Sequence, residues 1–195
     1  MFSLRIIILA LAVYLLPLGV EADELQFPTS ENAIIQALTL KEGKTQIGGF
    51  EYEVKDGEVY QFSGGKRFRA RGLQDIVDSE LAPRARAFIQ FDFNSARIKP
   101  ESYRLLDEFG KALNNPRLAS ATVEVQGHTD DIGDIQFNFD LAEKRALAVV
   151  NYLVQKQHIA MERLAIRAFG ENRPIASNST EKGRITNRRV EFVRK

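Results

Sequence analysis

Asp130 and Arg145 carry opposite charges fifteen positions apart, and their types suit capture of a small zwitterion. A guanidinium binds a carboxylate through two parallel hydrogen bonds, and an aspartate accepts from an ammonium group. Together in one cleft they can hold both charged ends of an amino acid. An internal salt bridge between the two is equally compatible with the spacing.

Residues 127–153 must position the pair. The stretch reads as a strand end, a polar loop carrying Asp130, and a helix starting near Asp140, where Asp140 and Glu143 have capping-box spacing. Ala142, Ala146, Val149, Val150 and Leu153 recur at helical intervals and form the core face. At roughly 100° per residue Arg145 lies about a quarter-turn from the centre of that stripe, so it is expected half-buried. Helical side chains lean toward the amino terminus, and Arg145 is about 7 Å along the axis from Asp140, so its guanidinium reaches the loop. Backbone N–H groups at the helix start add capacity for an anion.

A metal or hydrolytic site is the competing chemistry. Zinc catalysis uses about three protein ligands. His128, Asp130 and Asp131 are adjacent, but the other histidine, His158, lies across a helix, and there is no cysteine. Asp130, Asp131 and Asp134 lack the ligand rhythm of a calcium loop. No catalytic residue, metal or cofactor is therefore assigned, and the chain is read as a non-enzyme. His128 is placed at a strand end, with a ring nitrogen satisfying loop backbone. Arg188 and Arg189 are sent to opposite faces by strand alternation, one supporting the loop through carboxylates and the other solvated, and both are left outside the site.

Lys plus Arg number 27 against 26 Asp plus Glu, a net charge of +1 that gives no electrostatic case for nucleic acid. Residues 1–22 read as a signal peptide: Arg5 precedes an apolar run, Pro17 and Gly19 break it, and Val20-Glu21-Ala22 presents small side chains for cleavage after Ala22. That run is shorter than the roughly 20 residues a bilayer span needs, so the mature chain is expected to have no transmembrane segment. The absence of cysteine removes disulfides and a lipidated amino-terminal cysteine, leaving retention to binding.

Residues 23–84 form an amino-terminal segment of open role. Residues 30–38 make a short amphipathic helix capped by Thr29 or Ser30, marginal alone and expected to dock on its own domain. Residues 50–54 and 58–62 make a hairpin around Asp56-Gly57. Lys66, Arg67, Arg69 and Arg71, interleaved with Phe68, read as a solvated linker face. One hairpin is too little for an outer-membrane barrel.

From residue 85 the pattern becomes regular. Ala87, Ile89, Phe91 and Phe93 alternate with Phe88, Gln90, Asp92 and Asn94 as a strand. Pro100 and Glu101 open a helix with Leu105, Leu106, Phe109 and Leu113 buried. Strands follow at 121–126, from Leu164 to Gly170, and at 188–193. The expected fold is an α/β (α+β) two-layer sandwich, a βαβαββ mixed sheet with helices packed on it, plus a small amino-terminal helix and hairpin appendage.

The residues Phe91-Asp92-Phe93-Asn94-Ser95, Gly127-His128-Thr129-Asp130 with Gly133, then Asn138, Leu141, Arg145-Ala146, Val149 and Leu153 recur in a known order. Gly170-Glu171 with Pro174 and Asn187-Arg188-Arg189-Val190 complete it, and residues 85–195 closely resemble the OmpA-like carboxy-terminal domain. That family includes the periplasmic domain of outer-membrane protein A, the peptidoglycan-associated lipoprotein and the flagellar stator. The resemblance implies non-covalent binding of peptidoglycan through the diaminopimelate of the stem peptide. It makes Asp130 and Arg145 the principal ligands, with Asn94, Thr129 and Asn138 lining the pocket and Asp92 a weaker, structural candidate. It also implies a periplasmic protein of a diderm bacterium, associated with the cell wall and outer membrane. An alternative role is a scaffold whose residues 23–84 dock an outer-membrane or secretion partner. Ala142 departs from a common serine, and Asp131 and Asp134 make the loop more acidic than in many relatives.

Overall fold

The computed structural model describes residues 27–39, 41–47, 50–55, 58–63, 65–69 and 82–195. The expected leader over residues 1–22, the expected Asp56-Gly57 turn and Arg71 lie outside the described residues. No helix of the described residues is long and apolar enough to cross a membrane.

Helix α1 (Glu31–Leu38) starts where the Ser30 hydroxyl accepts from the Ala33 N–H, and it buries Ile34, Ile35 and Leu38. Those side chains join the main core, and the Glu31 N–H donates to Glu108 of the second helix at 2.9 Å. Docking supplies the burial that eight residues lack alone.

The hairpin belongs to a larger unit. Strands β1 (Gly43–Ile47), β2 (Phe50–Lys55), β3 (Glu58–Ser63) and β4 (Lys66–Arg69) form an antiparallel sheet in that order. The basic run expected as a linker face is therefore a strand, paired with β3 through Tyr60 opposite Arg69 and Phe62 opposite Arg67. Alternating charge hid it: Arg67 lies over the Tyr60 ring at 3.8 Å and pairs with Glu53, so a cation here serves as a cross-strand packing group.

The second sheet has the order β5 (Arg84–Ala87), β8 (Val190–Arg194), β6 (Val123–His128), β7 (Leu164–Gly170). Only β6 and β7 are parallel, joined through the long helix α3 (Ile135–Gln157), while β8 returns antiparallel between β5 and β6. Helix α2 (Tyr103–Asn114), entered through the Pro100–Ser102 turn, packs beside α3 on one face. Phe109 of α2 stacks on Phe192 of β8 at 4.0 Å within this core. The expected two-layer mixed sandwich is thus the observed one, with an added short helix α4 (Glu181–Asn187) between β7 and β8. Seven residues interrupted by Gly183 carry too little periodicity to announce it.

Three boundaries differ from expectation. Strand β5 ends at Ala87 because its partner β8 is exhausted there. Beyond it Phe91 makes only a bridge to Ile98, and Phe93 is exposed. Strand β8 begins at Val190, not residue 188. Helix α3 begins at Ile135, capped by Asp134, whose carboxylate accepts from the Gln136 and Phe137 N–H groups at 2.9 and 3.2 Å. Its first turn points Ile135, Phe137 and Phe139 outward and buries the polar Asn138, so the apolar stripe appeared to start one turn later.

Candidate functional site

The carboxyl end of β6 delivers His128, Thr129 and Asp130 to one end of the sheet. Gly127 makes this possible, because a Cβ there would meet the Ala142 carbonyl oxygen at 2.1 Å where α3 crosses the strand. The Thr129 N–H donates to the Gly170 carbonyl at 2.9 Å, and Gly133 turns the loop with φ +114°. Asn138 ties the loop to α3: its amide donates to the Ile132 carbonyl at 3.2 Å and to the Glu171 carboxylate at 2.6 Å.

These segments frame a cavity of about 630 Å³ lined by Asp92, Phe93, Asn94, Thr129, Asp130, Asn138, Arg145 and Arg188 among others. All five residues singled out from the sequence line it. Asn94 sits in the turn after Phe93 with φ +46°, a conformation asparagine tolerates. The Thr129 hydroxyl is buried and has no hydrogen-bond partner among the described residues. Asp92 is turned toward Arg97, at 2.5 Å, so its carboxylate is already engaged.

Asp130 and Arg145 do not pair with each other. Asp130 is buried and accepts from Arg188 Nη1 at 2.5 Å and from the Ile132 N–H at 3.3 Å. Arg188 in turn donates through Nη2 to Glu181 at 2.9 Å. Burial opposes the charge on Arg188, but the hydrogen bonds to Asp130 and Glu181 outweigh it and leave its pKa raised. Arg188 therefore belongs beside the site from which the sequence reading left it out. Arg189 is not solvated; it also lines the cavity, buried in an ion pair with Glu191 at 2.7 Å. Contact across fifty-eight residues of sequence leaves no periodic signal. The one available cue was the adjacency of two arginines at a helix-to-strand boundary.

Arg145 is half-buried, as expected, but no carboxylate among the described residues lies within ion-pair distance of it. Its Nε donates to the Ser95 carbonyl at 3.1 Å, and its guanidinium carbon lies 4.9 Å from the Phe91 ring centre. Burial pulls its pKa down to about 10, with the nearby charge of Asp130 opposing. A cation so placed keeps unused donors facing a cavity, which is the arrangement that favours an incoming carboxylate.

His128 contradicts its expected role. Neither ring nitrogen has a partner among the described residues, and the ring stacks on Phe169 at 5.3 Å. Burial, aided by Arg189, brings its pKa down to about 3, so it is a neutral aromatic filler. Among the described residues no three His, Cys, Asp or Glu side chains gather as a metal site would require.

The sandwich is an α/β domain with a cavity at one end of its sheet, which holds a buried acid, Asp130, and an arginine, Arg145, without an acidic partner among the described residues. The OmpA family model matches residues 90–188, and the chain belongs to that family. It is 31% identical to the peptidoglycan-associated lipoprotein of Pseudomonas putida over 82% of this chain and 93% of that protein. It is 40% identical to outer membrane porin F of Pseudomonas fluorescens over 53% of this chain, but spans only 31% of that protein's length. Among solved structures, the peptidoglycan-associated lipoprotein of Burkholderia pseudomallei is 28% identical with a TM-score of 0.50, covering 63% of this chain and 98% of that one.

Proposed function

We propose that this chain binds peptidoglycan non-covalently through the diaminopimelate of the stem peptide and thereby anchors itself, or a complex it joins, to the cell wall. The observation that carries the reading is Arg145: a half-buried guanidinium with no carboxylate partner among the described residues, bordering the cavity that also holds Asp130. Diaminopimelate ends in one ammonium and one carboxylate on the same carbon. Asp130 takes the ammonium and Arg145 the carboxylate, while Thr129 contributes its unpartnered hydroxyl and Asn94 and Asn138 complete the wall. The near relationship to peptidoglycan-associated lipoproteins supports the choice of polymer.

No bond is made or broken in this role. Residues 85–195 form the wall-binding unit, residues 23–84 an amino-terminal segment, and residues 1–22 the leader removed on export to the periplasm. An outer-membrane or other envelope protein is the further partner class.

Cosedimentation with diaminopimelate-type sacculi tests the proposal. Losing one charge-assisted contact costs about 1.5–3 kcal/mol, so Asp130→Ala and Arg145→Ala should each weaken binding roughly ten- to a hundredfold while circular dichroism stays unchanged. Folded variants that sediment like the parent chain would overturn it.

A further inference from the structure

Phe93, Ile132 and Ile135 are the three most exposed large apolar side chains among the described residues, at 93%, 63% and 62%. They fall on only two segments, the turn carrying Asn94 and the loop that leads from Asp130 into α3. Phe93, Ile132 and the partly exposed Phe137 line the cavity of Asp130 and Arg145. Single exposed apolar residues are ordinary, whereas a cluster rimmed by polar groups at the mouth of one cavity marks a contact surface. Such exposure also means that these side chains add little to the core.

We infer that this apolar rim is a second subsite, which packs against the uncharged glycan strand of the same polymer whose diaminopimelate enters the cavity. The inference rests on the function proposed above. A ligand held by the tip of one side chain must leave through the cavity mouth, so the rest of the polymer crosses the rim. Two amino acids and a lactyl group separate the diaminopimelate backbone from the sugar, and at roughly 3.5 Å per residue, with about 5 Å more for the diaminopimelate side chain, the sugar lies within about 15 Å of the tip.

Charge selects the sugar over the other candidates. Asp131 and Asp134 are exposed within the same loop, and Arg97 on the Phe93 turn is already paired with Asp92, so although Lys99 lines the cavity the Ile132 side of the rim disfavours the free carboxylates of the stem peptide as well as an anionic lipid surface. An N-acetylated pyranose has no charge and presents a face of C–H bonds, which suits the flat face of Phe93 and the aliphatic surface of Ile132.

Isothermal titration of the full chain with a diaminopimelate tripeptide and with the disaccharide tripeptide tests this. The sugar should raise affinity roughly tenfold, and Phe93→Ser with Ile132→Ser should abolish that difference, so that the variant binds the two ligands with equal affinity. Asp130→Ala should weaken both ligands alike. Equal affinity of the two ligands for the parent chain, or an equal loss for both in the rim variant, sinks the rim subsite and leaves the diaminopimelate reading standing. Binding of neither ligand sinks both. Rim variants that bind both ligands normally but release an envelope protein from pull-downs assign the rim to that protein and overturn the glycan subsite.

Discussion

Replacing His128 by phenylalanine should make the protein more resistant to mild acid. His128 is buried and its ring makes no hydrogen bond among the described residues; burial, then the charges of Arg189, Arg173 and Arg86, hold its pKa near 3 against an ordinary 6.5, with Glu191 opposing them. In the unfolded chain the ring takes a proton below pH 6.5; in the folded chain it stays neutral until about pH 3. The unfolded state therefore binds more protons in that window, and stability falls as pH falls. Each pH unit costs about 1.4 kcal/mol, so the loss between pH 6.5 and 4.5 is about 3 kcal/mol from this residue alone. The Phe169 stack can accept a phenyl ring, and no partner atom is orphaned by the change. Urea unfolding of both proteins from pH 7.5 to 4.5 measures the effect. The variant should match or exceed the parent at pH 7.5 and lead it by about 3 kcal/mol at pH 4.5. Parallel pH profiles, or a His128 that titrates near 6.5 by NMR, would refute the argument.

Below that window Glu191 takes over. Burial alone would raise its pKa, but Arg189 and Arg86 bring it down to about 2, so its contribution is complete above pH 4.5 and disappears as pH falls toward 2. Glu191→Gln should cost about 3–5 kcal/mol at pH 7, read from urea midpoints, because it leaves Arg189 buried without its counter-charge. Gly127→Ala should abolish cooperative thermal unfolding, since the added methyl meets backbone rather than a movable side chain. Ile34→Ala should lower stability by about 2–4 kcal/mol because its side chain is fully buried where α1 joins the core, and a change near zero in the urea midpoint would refute that docking. Arg188→Ala should destabilise by about 1–2 kcal/mol, limited by the partial exposure of that pair, because Asp130 stays buried without its cation.

Local chemistry made much of the fold legible in the sequence. The stripe of α3, the proline entry to α2, the glycine that ends β7 and a cap of α1 at Thr29 or Ser30, which the structure places on Ser30, each follow from interactions within a few residues, so spacing alone reported them. The half-burial of Arg145 was legible for the same reason, because a helix fixes the angle between a residue and its own apolar face. The resemblance added Asn94, Thr129 and Asn138 to the cavity wall.

Tertiary structure decided what lies between elements. That Asp130 bonds to Arg188 rather than Arg145 depends on where β8 enters the sheet, between β5 and β6, which brings the end of α4 beside the β6 loop. That the 66–69 run is a strand depends on its pairing with β3, and that His128 is a neutral filler depends on Phe169 from a neighbouring strand. Sequence spacing encodes periodicity along one element and carries no distance across the sheet. The sequence thus marked candidate residues, and the packing of four strands decided that Asp130 pairs with Arg188 while Arg145 has no acidic partner among the described residues.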